Sequence, residues 1–345
     1  MENNESEALS SRQRQPLASA SVKAAFLTLF ALLLACPLTM GHASVPPFNQ
    51  LVRLFSYNRG APLDVQQSRA LAVPGAAIHE ITYASPKRGR VTALLIVPQG
   101  KGPFAGIVFQ HWGLGNKAEF LPEATLLARA GAVSILVDAP WVRPEPWKQT
   151  GEGNYAKPEI DHDVYIQTVV DLERAVDVLL ARADVDPKRI AYVGHSYGAT
   201  WGGVLAGVDH RIKAFVLMAG LPTNTDFTPS GAMLLDDAIR QATSQFTKAQ
   251  IQHYIDEVSP TDPIHYISHA APSAIFMQFA ERDLFISKKF AEEYYRAASE
   301  PKQQKWYDTG HELNCLPARR DRDAWLQREL HLRPVLPLME QELAR

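Results

Sequence analysis

Short apolar runs alternate along this chain with stretches of helical period. Ile78 to Tyr83, Val91 to Val97 and Ala105 to Gln110 are β-rich and mostly bounded by Gly or Pro, which predicts three strands. Ala118 to Ala130 reads as a helix, and Val133 to Asp138 as a buried strand. From Asp161 to Ala183, Val164, Thr168, Leu172, Val176 and Leu179 recur at helical spacing, so one long amphipathic helix is expected. A strand ending at Gly194 and a helix after Ser196 follow, then strands at Ala214 to Ala219 and Ser273 to Phe279. A helix from about Ser287 to Ala298 and a short strand at Lys305 to Tyr307 complete the pattern. Phe48 to Tyr57 is a candidate short helix in an otherwise irregular, proline-punctuated start.

Strands alternating with helices of ten or more residues imply an α/β fold, with mostly parallel pairing through right-handed crossovers and helices on both faces. The first two strands can form a hairpin and supply an antiparallel edge. Leu221 to Ala270 interrupts the alternation as a helical insertion broken at Pro260 and Pro263, a candidate cap over the carboxyl ends of the strands. That end is where ligands bind in such sheets, and Ser196, Asp283 and His311 each fall just after a predicted strand. The expected organisation is a targeting segment at 1–43, an extension at 44–77 and one catalytic domain at 78–345, with no internal repeat.

The chemistry centres on Gly194-His195-Ser196-Tyr197-Gly198, between the apolar run Ile190 to Val193 and the helix that follows. A serine at the apex of a tight strand-to-helix turn is strained and exposed, and small flanking residues let strand and helix approach. A serine hydroxyl needs a base, commonly a histidine oriented by a carboxylate. Asp283 and His311 supply these in the order Ser, Asp, His. Glu281 is a rival carboxylate, but Asp283 lies further out of its strand; Asp308 reads as the end of the last strand. An oxyanion would take the backbone N–H of Tyr197, at a helix N-terminus, and a second N–H from Trp112 or Gly113 in the loop Gln110 to Asn116. His111, in that loop, is expected to be structural.

These segments resemble the α/β-hydrolases of the dienelactone-hydrolase-like or acyl-esterase group, from about Ile78 to Leu326. Gln110-His111-Trp112-Gly113 is similar to that group's oxyanion loop, Asp138-Ala139-Pro140 to its strand-end turn, and Gly194 to Gly198 to its elbow. Glu281-Arg282-Asp283 and Gly310-His311 match its acid and base turns. Dienelactone hydrolases proper carry cysteine at the elbow; Ser196 here points to ordinary ester hydrolysis. The resemblance implies an esterase acting on small-molecule esters through an acyl-enzyme. A prolyl-oligopeptidase-like peptidase is the nearest rival, but no propeller repeat precedes the catalytic part. A non-catalytic binding protein would have no need of all three groups.

Composition narrows the setting. A net charge of −2, with no Lys/Arg stripe interleaved with aromatics, gives no footprint for nucleic acid. Neither a phosphate loop nor a dinucleotide fingerprint occurs, so no cofactor is expected. His265, His269 and Asp262 form an incomplete metal set interrupted by prolines, and no metal is expected. Arg12, Arg14 and Lys23 precede the apolar stretch Ala24 to Ala35, and Gly41-His42-Ala43 offers a cleavage site, so secretion or a periplasmic location follows. The stretch is short of the roughly 20 residues of a membrane span. Leu33 to Cys36 resembles a lipoprotein box, the alternative at this terminus. Cys36 and Cys315 are the two cysteines, and cleavage leaves one, so stability rests on the core.

Overall fold

The computed structural model describes residues 45–343 apart from residue 152. The expected signal segment and Cys36 lie outside the described residues.

Two short helical turns, α1 (Phe48–Leu51) and a 3-10 turn (Val52–Phe55), open the described chain, as the sequence suggests. Leu51 and Phe55 are buried in the same core as the sheet, so the extension packs as part of the catalytic body. Two brief strands follow, β1 (Gln66–Gln67) and β2 (Leu71–Val73), both largely exposed. Neither was expected, because two or three solvent-facing residues carry no apolar alternation to read.

The hairpin β3 (Ala76–Ala84) and β4 (Arg90–Pro98) pairs antiparallel along its whole length. Next come β5 (Phe104–Gln110), α2 (Leu121–Ala130) and β6 (Ala132–Val137). Every residue of β5 and β6 is buried, which is why they read as continuous apolar runs rather than alternating ones. The long helix α3 (Pro158–Leu180) begins with Pro158, whose missing N–H is harmless in a first turn. It leads to β7 (Val185–His195), α4 (Tyr197–Val208) and β8 (Ala214–Met218).

The insertion folds into α5 (Met233–Gln245), α6 (Lys248–Val258) and three 3-10 turns at Ser259–Thr261, Pro263–His265 and Ile267–His269. Pro260 and Pro263 sit where α-helical pairing gives way, as their lack of an N–H requires. Thr247 and Gln250 form a capping box on α6. Tyr254 of that helix donates to Asp161 Oδ2 on α3 at 2.9 Å, fastening the insertion to the body. The chain ends with β9 (Ala274–Ala280), α7 (Lys288–Ala297), β10 (Lys302–Tyr307), α8 (Leu316–Leu330) and α9 (Leu336–Leu343).

The described residues form one ten-stranded sheet in the order β1-β3-β4-β6-β5-β7-β8-β9-β10, with β2 beside β3. From β6 to β10 every pairing is parallel; β1, β2, β3 and β4 make the antiparallel edge. Helix α4 is buried on nearly all sides. This is the α/β-hydrolase fold, and the parallel strands β7, β9 and β10 end at one rim.

Candidate active site

At that rim Ser196 adopts φ 52° and ψ −108°, a conformation that costs an L-residue energy and holds the side chain clear of both strand and helix. Its amide donates to the Met218 carbonyl at 2.7 Å, pinning the turn to β8. A β-carbon at position 194 would lie 2.3 Å from the Gly198 carbonyl oxygen, and one at position 198 would lie 2.2 Å from that of Gln110. Both glycines are therefore steric requirements of the turn.

Asp283 and His311 arrive from the turns after β9 and β10. The Ser196 hydroxyl lies 2.8 Å from His311 Nε2. His311 Nδ1 lies 3.0 and 2.9 Å from the two Asp283 oxygens. A carboxylate only accepts, so Nδ1 carries the proton and Nε2 presents its lone pair to Ser196. Asp283 Oδ1 also accepts the amides of Phe285 and Ile286 at 2.8 and 2.9 Å, which fixes the carboxylate before the histidine meets it. The rival acids fall away: Glu281 is exposed, and Asp308 pairs with Arg282 at 2.9 Å on the surface.

The loop after β5 is equally constrained. Ala139 N–H donates to His111 Nε2 at 2.9 Å, so the ring's proton sits on Nδ1 and goes to the Trp112 carbonyl at 2.6 Å. Burial pushes the His111 pKa down, keeping the ring neutral. His111 is thus the loop's structural tie, as its position suggested. The Trp112 N–H donates to Glu119 Oε2 at 2.8 Å, whereas no acceptor among the described residues takes the Gly113 N–H. Of the two candidate loop donors, Gly113 has the uncommitted amide. Trp141 Nε1 donates to the Gly113 carbonyl at 2.9 Å and its ring meets Tyr197 edge-on at 4.3 Å. The Tyr197 backbone opens α4 beside Ser196.

Two residues beside the triad carry no motif. Glu119 and His195 are in contact at 2.6 Å, and His195 Nε2 reaches the His311 carbonyl at 2.9 Å. Glu119 falls at the start of the stretch that reads as a helix, although the helix begins at Leu121 and leaves it in the preceding turn, and His195 occupies the elbow's variable position, so neither has a signature. The set around Asp262 is accounted for locally: Asp262 takes the Thr223 hydroxyl and the Asn224 amide, both at 2.7 Å, and His269 stacks on Phe48 at 3.5 Å. No helix among the described residues is long and apolar enough to cross a membrane.

Residues 60–257 match the sequence profile of the acetyl xylan esterase (AXE1) family. The chain belongs to this family. It is a serine hydrolase that cleaves carboxylic esters. The esterase's matched span includes the loop after β5 and the elbow but stops before Asp283 and His311, whose placement rests on the geometry above. No curated protein sequence matches the esterase. Among solved structures it is similar to acetyl xylan esterase from Paenibacillus sp. R4, at 19% identity and a TM-score of 0.67, over 82% of this chain and 93% of that one. Acetyl xylan esterase 1 from Thermoanaerobacterium sp. JW/SL YS485 gives 15% and 0.68, over 84% and 96%. A cold-adapted esterase from an Arctic intertidal metagenomic library gives 14% and 0.53, over 80% and 99%. At these identities the likeness speaks for the esterase's fold.

Proposed function

We propose that the esterase removes acetyl groups from a carbohydrate such as acetylated xylan, with Ser196 as nucleophile, His311 as general base and acid, and Asp283 orienting the imidazole. The observation that carries the catalytic part is the continuous chain Ser196 Oγ, His311 Nε2, His311 Nδ1 and Asp283. His311 Nε2 takes the serine proton as Oγ bonds to the ester carbonyl carbon, and the carbonyl electrons move to oxygen. The amides of Tyr197 and Gly113 receive that charge. His311 returns the proton to the alkoxide leaving group as its bond to carbon breaks, giving acyl-Ser196. Water then gives a proton to Nε2 as its oxygen bonds to the acyl carbon; the carbon–Oγ bond breaks as Nε2 returns that proton to Oγ, releasing acetate and restoring Ser196.

Support for a carbohydrate alcohol is the family, together with the aromatic setting of the site. Phe285 packs 4.8 Å from the His311 ring and stays 41% exposed. Trp141, half-buried beside Tyr197, is a second apolar face against which the C–H side of a sugar ring packs. The test is acetate release from acetylated xylan by residues 44–345, beside p-nitrophenyl acetate and butyrate and the Ser196→Ala variant. Release that vanishes in the variant supports the proposal. Cleavage of the p-nitrophenyl esters without release from xylan overturns the substrate, and an active Ser196→Ala overturns the nucleophile.

Export with cleavage after Ala43 is proposed on the basic residues and apolar stretch described above. The first described element begins at Phe48, beyond the proposed cleavage point. The mass of the exported protein tests it; a lipid on Cys36 would overturn it.

A further inference from the structure

Both ring nitrogens of His195 face acceptors. Nδ1 lies 2.6 Å from Glu119 Oε1, and Nε2 lies 2.9 Å from the backbone carbonyl of His311. A carbonyl cannot donate, so Nε2 must carry a proton. At 2.6 Å the contact with the carboxylate also needs a proton, which the more basic of the two groups, the imidazole, holds on Nδ1. Glu119 and His195 together therefore hold two protons, where a neutral imidazole beside a carboxylate holds one. We propose that this doubly protonated pair is the positioning device of the active site, tying the oxyanion loop, the nucleophile turn and the base loop to one another.

The three ties are on separate pieces of chain. Glu119 Oε2 accepts the Trp112 N–H, next to Gly113. His195 is bonded to Ser196. Its Nε2–H holds the main chain of His311, the residue whose side chain receives the serine proton, and the two rings lie 5.3 Å apart. The side chains are 4% exposed for His195 and 21% for Glu119, so water does not readily replace these bonds. Asp283 fixes the far side of the His311 imidazole; His195 fixes its backbone.

Loss of one proton breaks the arrangement. A lone pair on Nδ1 would face a carboxylate, or one on Nε2 would face a carbonyl, and either contact is repulsive at these distances. One tie opens, and the reacting groups lose their alignment.

The inference rests on the catalytic reading of Ser196 and His311, and Ser196→Ala separates the two, since it tests that reading alone. Glu119→Gln is the informative variant. Its amide oxygen can accept the Trp112 N–H while its NH₂ donates to His195 Nδ1, so all three ties survive with a singly protonated imidazole. We expect kcat to fall only about five-fold, from exchanging charge-assisted for neutral hydrogen bonds. Glu119→Ala leaves the Trp112 amide and His195 Nδ1 without acceptors, and kcat should drop roughly 50-fold with KM little changed. Histidine ¹⁵N NMR of the full protein at neutral pH should show one doubly protonated ring that becomes singly protonated in Glu119→Gln. A singly protonated His195 in the parent, a Glu119→Gln variant as impaired as Glu119→Ala, or a folded Glu119→Ala with parental kcat would each overturn the proposal while leaving Ser196 in place.

Discussion

The carbonyl oxygen of Gln110 fills the space that a β-carbon at Gly198 would need, at 2.2 Å. Strand β5 and the start of α4 touch through backbone atoms, so neither side has a flexible end that could move away. Gly198→Ala should therefore force the elbow off the sheet and destabilise the protein by about 3 kcal/mol or more. Thermal unfolding with residual p-nitrophenyl acetate hydrolysis checks this; a variant with parental melting temperature and activity would contradict it.

Asp283 does two separable things: it accepts the Phe285 and Ile286 amides, and it takes the Nδ1 proton of His311. In Asp283→Asn the carbonyl oxygen can keep the amide bonds while the NH₂ group faces Nδ1. The imidazole must then carry its proton on Nε2, pointing at Ser196, and cannot accept the serine proton. A fall in kcat of about 10⁴-fold with near-parental stability is expected. Similar losses in stability and activity would instead mean that Asp283 mainly holds its turn.

Much of this was legible in the sequence, for physical reasons. Buried parallel strands must be apolar throughout, and the long helix α3 has to present a periodic face, so both leave clear patterns. The elbow is legible because its glycines are obligatory. Helix α8 is not: its buried face includes Arg322 and Asp323 beside Trp325 and Leu326, so charge interrupts the apolar stripe that would announce it. The sequence does not distinguish Trp112 from Gly113 as loop donor, because their difference depends on Glu119, a contact between residues that no local pattern links. His195 has the same history: its role comes from a carbonyl 116 residues away.

Helix α8 also exposes a dependence of the base loop on distant charge. Arg322 holds Glu123 of α2 through bonds of 2.6 to 3.1 Å and donates to the Leu313 carbonyl at 3.1 Å, two residues beyond His311. Both side chains are 5% exposed. Removing one partner strands a buried charge, so Glu123→Ala should cost about 3 to 5 kcal/mol. Denaturant unfolding reads the loss, and a cost below about 1 kcal/mol would mean that water reaches Arg322 readily.

At the opposite side of the sheet, Glu173 on α3 holds the N-terminal strap through Arg59 Nη2 at 3.1 Å. Burial, reinforced by Asp209, pushes its pKa up to about 8, because Arg59 is 52% exposed and compensates poorly. The folded protein then keeps a proton that the unfolded chain gives up near 4.5. Glu173 accordingly favours the fold fully below that lower value, and the contribution drains away as pH rises towards 8. The parent should lose on the order of 5 kcal/mol across this window from this residue alone. Glu173→Gln cannot ionise and keeps an acceptor for Arg59, so its urea midpoint should decline less between pH 5 and pH 8, about the limits of that titration. Parallel declines in parent and variant would show that Glu173 is ionised in the fold throughout, with Arg59 a stronger partner than its exposure implies.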